Sequence, residues 1–470
     1  MTDIFSLKDF SFPKGFLWGS ATAGHQIEGN NIHSSSWNTE QEWLKKDPKA
    51  EVSGMACNHY NMVEEDVDLI KNLGHQAFRL SVEWSRIQPE EGVFDKEATE
   101  HYVRELALLK EKGIKVFLTL VHFSVPLWFE KKGDWQKQEN YKYFETYLEY
   151  IVPKIARYVD FWNIFNEMNL GVKDSDLTRK FNCTIFHGRA YHLIRKYSGA
   201  PVGTAHAFVQ QFGKRQGDKF DMAAQEWYDV INHEFFFHAM RTGELVVPGV
   251  GGIFDKEIKD TSDFWSINLY TRDIIDTREK DLHGRRFPFK ELRMIPKEFY
   301  LEEFFPEAMY HCLNRLKDKP VYISENGVSA DNDDFRIVWI SEYLSALHEA
   351  INAGVDVRGY LYWSLIDNWE WYSWAPKFGL VSVDREHDFR RTPKPSAYFY
   401  KEIIENNGFK SEILKKYLKE TPRAQDYRIL AISKKKTSDR IIGGTKKTIH
   451  VMFSALKRKT ENCFYSKRKA

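Results

Sequence analysis

Two glutamates, remote from each other in sequence, close short apolar runs in this chain. Glu167 ends the strand-like part of VDFWNIFNEMN (159–169), and Glu325 ends that of PVYISENG (320–327). Each stands beside an amide, Asn166 in the first case and Asn326 in the second. A lone strand-end Glu can serve structure alone by pairing with a buried Arg. Two of them facing one pocket offer a specific chemistry. Carboxyls about 5–5.5 Å apart cleave a glycosidic bond with retention of configuration: one attacks the anomeric carbon, and the other gives a proton to the departing oxygen. The pair works only if its surroundings hold the two groups in different protonation states. Arg79 and Tyr270 are the candidates to keep Glu325 ionised, through a positive charge and a hydrogen bond. Glu167, flanked by Phe165 and Met168, has the more apolar setting. A nearby Glu325 carboxylate would push its pKa up further.

Such residues need strands to carry them. Eight short apolar runs have the required form: 15–23, 77–84, 115–122, 158–167, 200–207, 263–270, 319–327 and 356–365. Longer helical patterns separate them, and several end in Gly, as in EEDVDLIKNLG and YVRELALLKEKG. The runs are continuously apolar rather than alternating, as parallel strands buried on both faces must be. Eight such βα units predict an α/β fold, a single (β/α)8 barrel with its site at the C-terminal ends of the strands. The competing open doubly wound sheet would show a glycine-rich phosphate loop after its first strand. WGSATAGHQIEG lacks that spacing.

The predicted strand ends carry His25, Gln26 and Glu28; Arg79 and Glu83; His122; Asn166 and Glu167; His206; Asn268 and Tyr270; Glu325; and Trp363, with Asp367, Asn368, Glu370 and Trp371 just beyond. Amides, imidazoles, carboxylates and indoles suit a neutral, hydroxyl-rich small molecule. No phosphate cradle and no local metal-ligand spacing such as HExxH accompanies them, so neither a metal nor a cofactor is expected.

Composition sets the outer bounds. The 470 residues are 42% hydrophobic and 29% charged, an ordinary globular balance. Aromatics reach 15%, with 14 Trp, which fits a large core or a sugar-binding cleft equally well. The cysteines Cys57, Cys183, Cys312 and Cys463 have no paired spacing, so reduced thiols and a cytoplasmic location are expected. The N-terminus has no signal-peptide pattern, and no apolar run approaches the ~20 residues of a membrane span. NCT at 182–184 matches a glycosylation sequon, discounted in the absence of a secretion signal. The net charge of +1 hides an asymmetry: residues 423–470 hold 14 Lys/Arg against 3 Asp/Glu, a net +11, which leaves −10 for residues 1–422. Two regions follow, a barrel over 1–422 and a basic extension over 423–470. The extension reads as a solvated tail, as a contact for nucleic acid or another anionic surface, or as an appended segment with little function; no nucleic-acid partner is expected for the barrel.

From about Phe12 to about Tyr400 the motifs FPKGFLWGSATAGHQIEG, RLSVEWSRIQPEEG, LTLVHFSVPLW, FNEM, INLYT, YISENG, GYLYWSLIDNWEW and KFGLVSVD occur in this order. The series resembles glycoside hydrolase family 1, the β-glucosidase type. The resemblance implies a retaining β-glycosidase acting on terminal, non-reducing β-D-glucosyl residues, with β-galactosyl or β-fucosyl residues as co-substrates. It implies Glu167 as acid/base and Glu325 as nucleophile, with Arg79, Tyr270 and Asn268 beside them. Gln26, His122, Asn166, Trp363, Glu370 and Trp371 would grip the sugar: Asn166 at the 2-hydroxyl, Gln26 and Glu370 at the 3-, 4- and 6-hydroxyls, and Trp363 as the stacking floor.

The chain departs from the family pattern at three places. Met168 replaces a Pro after the acid/base, which is expected to loosen that loop. Phe123 replaces a Trp after His122, which puts one sugar contact in question. YSWAPK (372–377) replaces a glycine-aromatic pattern. Family members that take phosphorylated sugars replace the carboxylate at the Glu370 position, so its presence predicts neutral glycosides. Thioglucosidases of the family replace the acid/base by Gln, and non-catalytic receptors on this scaffold usually lose one carboxyl; both carboxyls are present here. A transglycosylase would share the intermediate and differ only in its acceptor.

Overall fold

The structure, a computed structural model, describes residues 4–278, 303–371 and 373–420. Eight parallel strands close into one barrel: β1 (Leu17–Ala21), β2 (Ala77–Ser81), β3 (Lys115–Val121), β4 (Phe161–Asn166), β5 (Val202–Ala207), β6 (Trp265–Asn268), β7 (Val321–Asn326) and β8 (Val357–Trp363). Each pairs with its sequence neighbours, and β8 returns to β1 through Tyr360↔Trp18. All eight predicted strands are present. An outer ring of helices follows them: α1 (Val63–Asn72), α2 (Lys96–Glu111), α3 (Tyr141–Ile155), α4 (Asp174–Arg195), α5 (Phe235–Thr242), α6 (Glu307–Leu313), α7 (Asp333–Asn352) and α8 (Pro395–Asn406). Before α5 come a helix at Lys219–Asp229 and a π turn at Val230–Glu234.

Local chemistry explains the joints. After α1, α2 and α7 the glycines Gly74, Gly113 and Gly354 adopt φ of 76°, 75° and 91°. At each, the glycine N–H and the next N–H bond back to the helix, as in Gly74→Lys71 and His75→Ile70. This terminates the helix and aims the chain at the next strand. Two boundaries differ from the sequence reading. The strand predicted over 77–84 stops at Ser81, because Trp84–Ile87 coils into a short helix. The pattern ahead of β7 predicts a longer helix than α6, which begins only after Pro306; proline has no N–H to donate and fixes φ, so it suits a helix start.

Inside the barrel, Phe117, Phe161, Phe264 and Tyr322 pack as a plug, with Phe117 stacked on Phe161 at 4.1 Å and Phe161 tilted against Tyr322 at 4.9 Å. These residues lie toward the strand N-termini, so the open end is the C-terminal one. At the opposite end, Phe10–Ser11 pairs with Gly408–Phe409, and Trp18 Nε1 donates to Asn407 Oδ1 at 2.9 Å. Among the described residues, no helix is long and apolar enough to cross a membrane. Cys57, Cys183 and Cys312 are buried and free. The basic extension over 423–470 and Cys463 lie outside the described residues.

Candidate active site

A cavity of about 530 Å³ opens at the C-terminal end of the barrel. Its lining includes ten of the residues singled out in the sequence: Gln26, His122, Asn166, Glu167, Asn268, Tyr270, Glu325, Trp363, Glu370 and Trp371. Arg79, the eleventh, is fully buried beneath the floor.

Arg79 organises that floor. From β2 it reaches two neighbouring groups: one η nitrogen donates to Glu325 Oε1 and the other to Asn166 Oδ1, while Nε donates to Thr119 Oγ1 at 3.1 Å. Tyr270 OH donates to the other Glu325 oxygen at 2.9 Å. Burial pushes the Glu325 carboxyl above the ordinary carboxylate range, and Arg79, Tyr270 and Asn268 pull it back. The contacts expected of Arg79 and Tyr270 are present, and burial outweighs them in the net direction. Protonating Glu325 would still leave a buried guanidinium facing a neutral group, which favours the ion pair. Behind Glu325, Gly327 is forced: a Cβ there would lie 1.8 Å from the Trp363 carbonyl oxygen.

Glu167 sits one residue past β4, half-buried, with φ of 49°. Asn268 Nδ2 donates to Glu167 Oε1 at 3.0 Å and to Asn166 Oδ1 at 3.1 Å, so one amide spans the floor between the two strand ends. The Tyr270 phenol is raised well above its ordinary value, first by burial and then by the charges of Glu325, Glu167 and Glu370. It therefore remains a donor to Glu325.

The amide network also fixes a tautomer. Asn166 Oδ1 accepts from Arg79 and Asn268, so Nδ2 must be the atom that faces His122 Nε2 at 3.1 Å. His122 is buried, and burial with the Arg79 charge keeps it well below its ordinary pKa, hence neutral. Nε2 then accepts and Nδ1 carries the hydrogen. His122 Nδ1, Gln26 Oε1 and Trp369 Nε1 are buried without a hydrogen-bond partner among the described residues. Buried polar atoms normally have partners, so this set of two donors and one acceptor fits a ligand with hydroxyl groups. Gln26 Nε2 is fixed by Asn368 Oδ1 at 2.9 Å and Glu370 Oε2 at 3.3 Å. His122 stacks between Trp363 at 6.0 Å and Trp371 at 6.1 Å, which sets the aromatic wall.

Other strand-end residues lie behind the wall. His25 pairs with Glu40 at 2.7 Å, Glu28 with Arg86 at 2.7 Å, and Asp367 with Lys394 at 2.9 Å. His206 Nε2 faces His233 Nδ1 at 3.1 Å. Met168 is 5% exposed and part of the main core, so the loop expected to loosen is packed instead. Phe123 lies edge-on to Trp371 at 5.1 Å and lines the mouth. Within the YSWAPK stretch, Trp374 N donates to Glu51 Oε2 at 2.9 Å and Trp374 Nε1 to Val52 O at 3.0 Å, while Arg385 covers its ring at 3.4 Å.

The sequence reading missed Thr39, Trp43, Glu130, Leu170, Val209 and Trp369, all of which line the cavity. The first five stand on connections rather than at strand ends, and no periodicity marks them. Trp369 did leave a signal, an indole one residue ahead of Glu370.

The glycosyl hydrolase family 1 profile matches residues 8–409. Beta-glucosidase A of Acetivibrio thermocellus is 30% identical over 460 residues, covering 86% of this chain and 100% of its own. The beta-galactosidase of Saccharolobus solfataricus is 30% identical over 481 residues, covering 86% and 97%. Among solved structures, the beta-glycosidase from Pyrococcus horikoshii superposes with a TM-score of 0.75 at 32% identity, over 87% of this chain and 98% of that one. With the barrel, a cavity lined by both Glu167 and Glu325 and a profile match along this length, the chain is a glycosidase and belongs to glycosyl hydrolase family 1.

Proposed function

We propose that this enzyme is a retaining β-glycosidase for neutral glycosides, releasing terminal β-D-glucosyl residues and accepting β-galactosyl or β-fucosyl ones. Glu325 is the nucleophile and Glu167 the acid/base. The observation that carries the assignment is the hold on Glu325. Both of its oxygens accept from donors, Arg79 and Tyr270, on a buried floor, while Glu167 stands at the half-buried rim. Such donors favour the ionised form of Glu325 and orient it for attack.

In the first step Glu325 attacks the anomeric carbon as Glu167 protonates the departing oxygen. In the second, Glu167 takes a proton from water, which displaces Glu325 and restores the anomeric configuration. The second hydrogen on Asn166 Nδ2 serves the 2-hydroxyl. His122 Nδ1, Gln26 and Glu370 serve the remaining hydroxyls over the Trp363 face. Glu370 adds a negative charge where a sugar phosphate would have to sit, which favours neutral substrates.

Hydrolysis of a 2-deoxy-2-fluoro aryl glucoside tests the roles. The trapped glycosyl ester is expected on Glu325 by peptide mass spectrometry, and the first-formed sugar from an aryl β-glucoside is expected as the β anomer by NMR. A label on any other residue, or an α product, refutes the assignment. Disaccharide products in place of free sugar would mark a transglycosylase with the same intermediate.

A further inference from the structure

The residue after Glu167 is Met168, so the loop that carries the acid/base has no proline to stiffen it. Glu167 itself has φ of 49°, a left-handed conformation that disfavours a side chain with a Cβ. Something else must hold this turn. Five backbone groups between 167 and 171 are tied, the N–H of Glu167 and Leu170 and the carbonyls of Glu167, Leu170 and Gly171. Glu167 N donates to Ala205 O at 2.7 Å, Leu170 N to Glu167 O at 3.1 Å, and Arg179 Nη2 to Leu170 O at 2.6 Å. Asn169 is 1% exposed; its Nδ2 donates to Ala207 O at 2.8 Å and Asn232 O at 2.9 Å, and its Oδ1 accepts from Ala207 N at 3.1 Å.

Lys180 completes the set. It lies in the second turn of α4 and is 0% exposed, an unusual place for an ammonium without a carboxylate partner. Its Nζ instead donates to Gly171 O at 2.7 Å, Ile231 O at 2.8 Å and Asn232 Oδ1 at 2.9 Å, with no Asp or Glu oxygen within 4.0 Å among the described residues. Three donors meet three oxygens, so the group is saturated. Two of those oxygens belong to the π turn 230–234, and the third belongs to the Glu167 loop. A π turn redirects backbone carbonyls out of the helical ladder, and here Ile231 O is taken up by the lysine. The lysine therefore joins three separate segments of chain at one point: the acid/base loop, α4 and the π turn that precedes α5.

We propose that Lys180, with Asn169 and the π turn, is a buried clamp that positions the acid/base Glu167. It touches no substrate; it fixes the loop whose first residue delivers the proton. The proposal rests on the reading of Glu167 as acid/base, so the experiment separates the two. Lys180→Met, Asn169→Ser and Glu167→Gln are compared with the parent enzyme on β-glucosides whose leaving groups range from 2,4-dinitrophenol to an alkyl alcohol. Proton donation contributes about 10²–10⁴-fold and matters least for the good leaving group. If the clamp acts on Glu167, Lys180→Met and Asn169→Ser each lower kcat/KM at least about tenfold more on the alkyl than on the dinitrophenyl glucoside. A loss equal on both substrates makes Lys180 merely structural and overturns the proposal, as does no loss. If Glu167→Gln itself shows no leaving-group dependence, the acid/base assignment fails instead. Near-UV circular dichroism at the assay temperature shows which variants are folded; should Lys180→Met unfold, Lys180→Gln, which keeps amide donors, carries the same comparison.

Discussion

Arg79 has the most constrained chemistry of any residue in the site. It is fully buried, and its donors are distributed over Glu325, Asn166 and Thr119. Replacing it with Met keeps bulk and removes charge. Glu325 would then be a buried carboxylate with Tyr270 as its remaining strong donor, and its pKa would climb further. Because the nucleophile must be ionised, the acidic limb of kcat/KM against pH is expected to move to higher pH, with a loss on the order of 10²–10³ at the optimum. A variant with reduced activity and an unmoved limb would show that Arg79 acts through packing alone. At this scale the sequence was readable where a functional group interrupts a run that otherwise demands burial, as at Glu167 and Glu325. It was unreadable at Lys180, which looks like any helical lysine until α4 meets the π turn; no local pattern records that its neighbours are carbonyl oxygens from two other segments.

The elements were legible for a related reason. Strands buried on both faces, such as β2 and β7, leave no alternation and hence a distinctive apolar run, and Gly74, Gly113 and Gly354 mark helix ends through a conformation other residues avoid. What the connections do was less legible, and the turn after β1 illustrates it. The helix Gly24–Ile27 carries Gln26 into the cavity while two carboxyls sit against its first residue: a Cβ on Gly24 would lie 2.7 Å from both Glu28 Oε1 and Glu83 Oε1. Glu83 also accepts from His25 N at 3.1 Å and Asn31 Nδ2 at 2.8 Å, and Glu28 from Tyr102 OH at 3.0 Å and Arg86. One cation cannot neutralise two buried carboxylates. Burial, then repulsion from Glu28, pushes the Glu83 carboxyl up to about 8. A group whose folded-state pKa lies above its unfolded one binds its proton on folding, so stability falls as pH rises toward about 8. The parent enzyme is therefore expected to lose more thermal stability between pH 6 and pH 9 than Glu83→Gln, by on the order of a few kcal/mol. Parallel melting curves at both pH values would show the carboxyl to be ionised throughout.

The whole molecule divides by charge more sharply than by fold. The barrel is closed before the basic region begins: Gly408–Phe409 pairs with Phe10–Ser11, Tyr417 OH donates to Glu402 Oε1 at 2.7 Å, and Leu418 is 2% exposed. Among the described residues, those that line the candidate site lie between Gln26 and Phe378. The region after Pro422 holds 14 Lys/Arg and 3 Asp/Glu, while residues 1–422 carry a net −10. A chain ending at Glu420 is expected to fold and to hydrolyse aryl β-glucosides with kcat/KM within about twofold of the full chain, since the described cavity lining runs from Gln26 to Phe378 and the proposed substrate carries no charge. The same truncation should abolish retention on a heparin column at low salt, because an acidic barrel is repelled by a polyanion that a +11 segment attracts. Equal retention of both forms would place the polyanion contact on the barrel. A truncated chain that fails to fold, or whose activity falls well beyond twofold, would make the extension part of the enzyme.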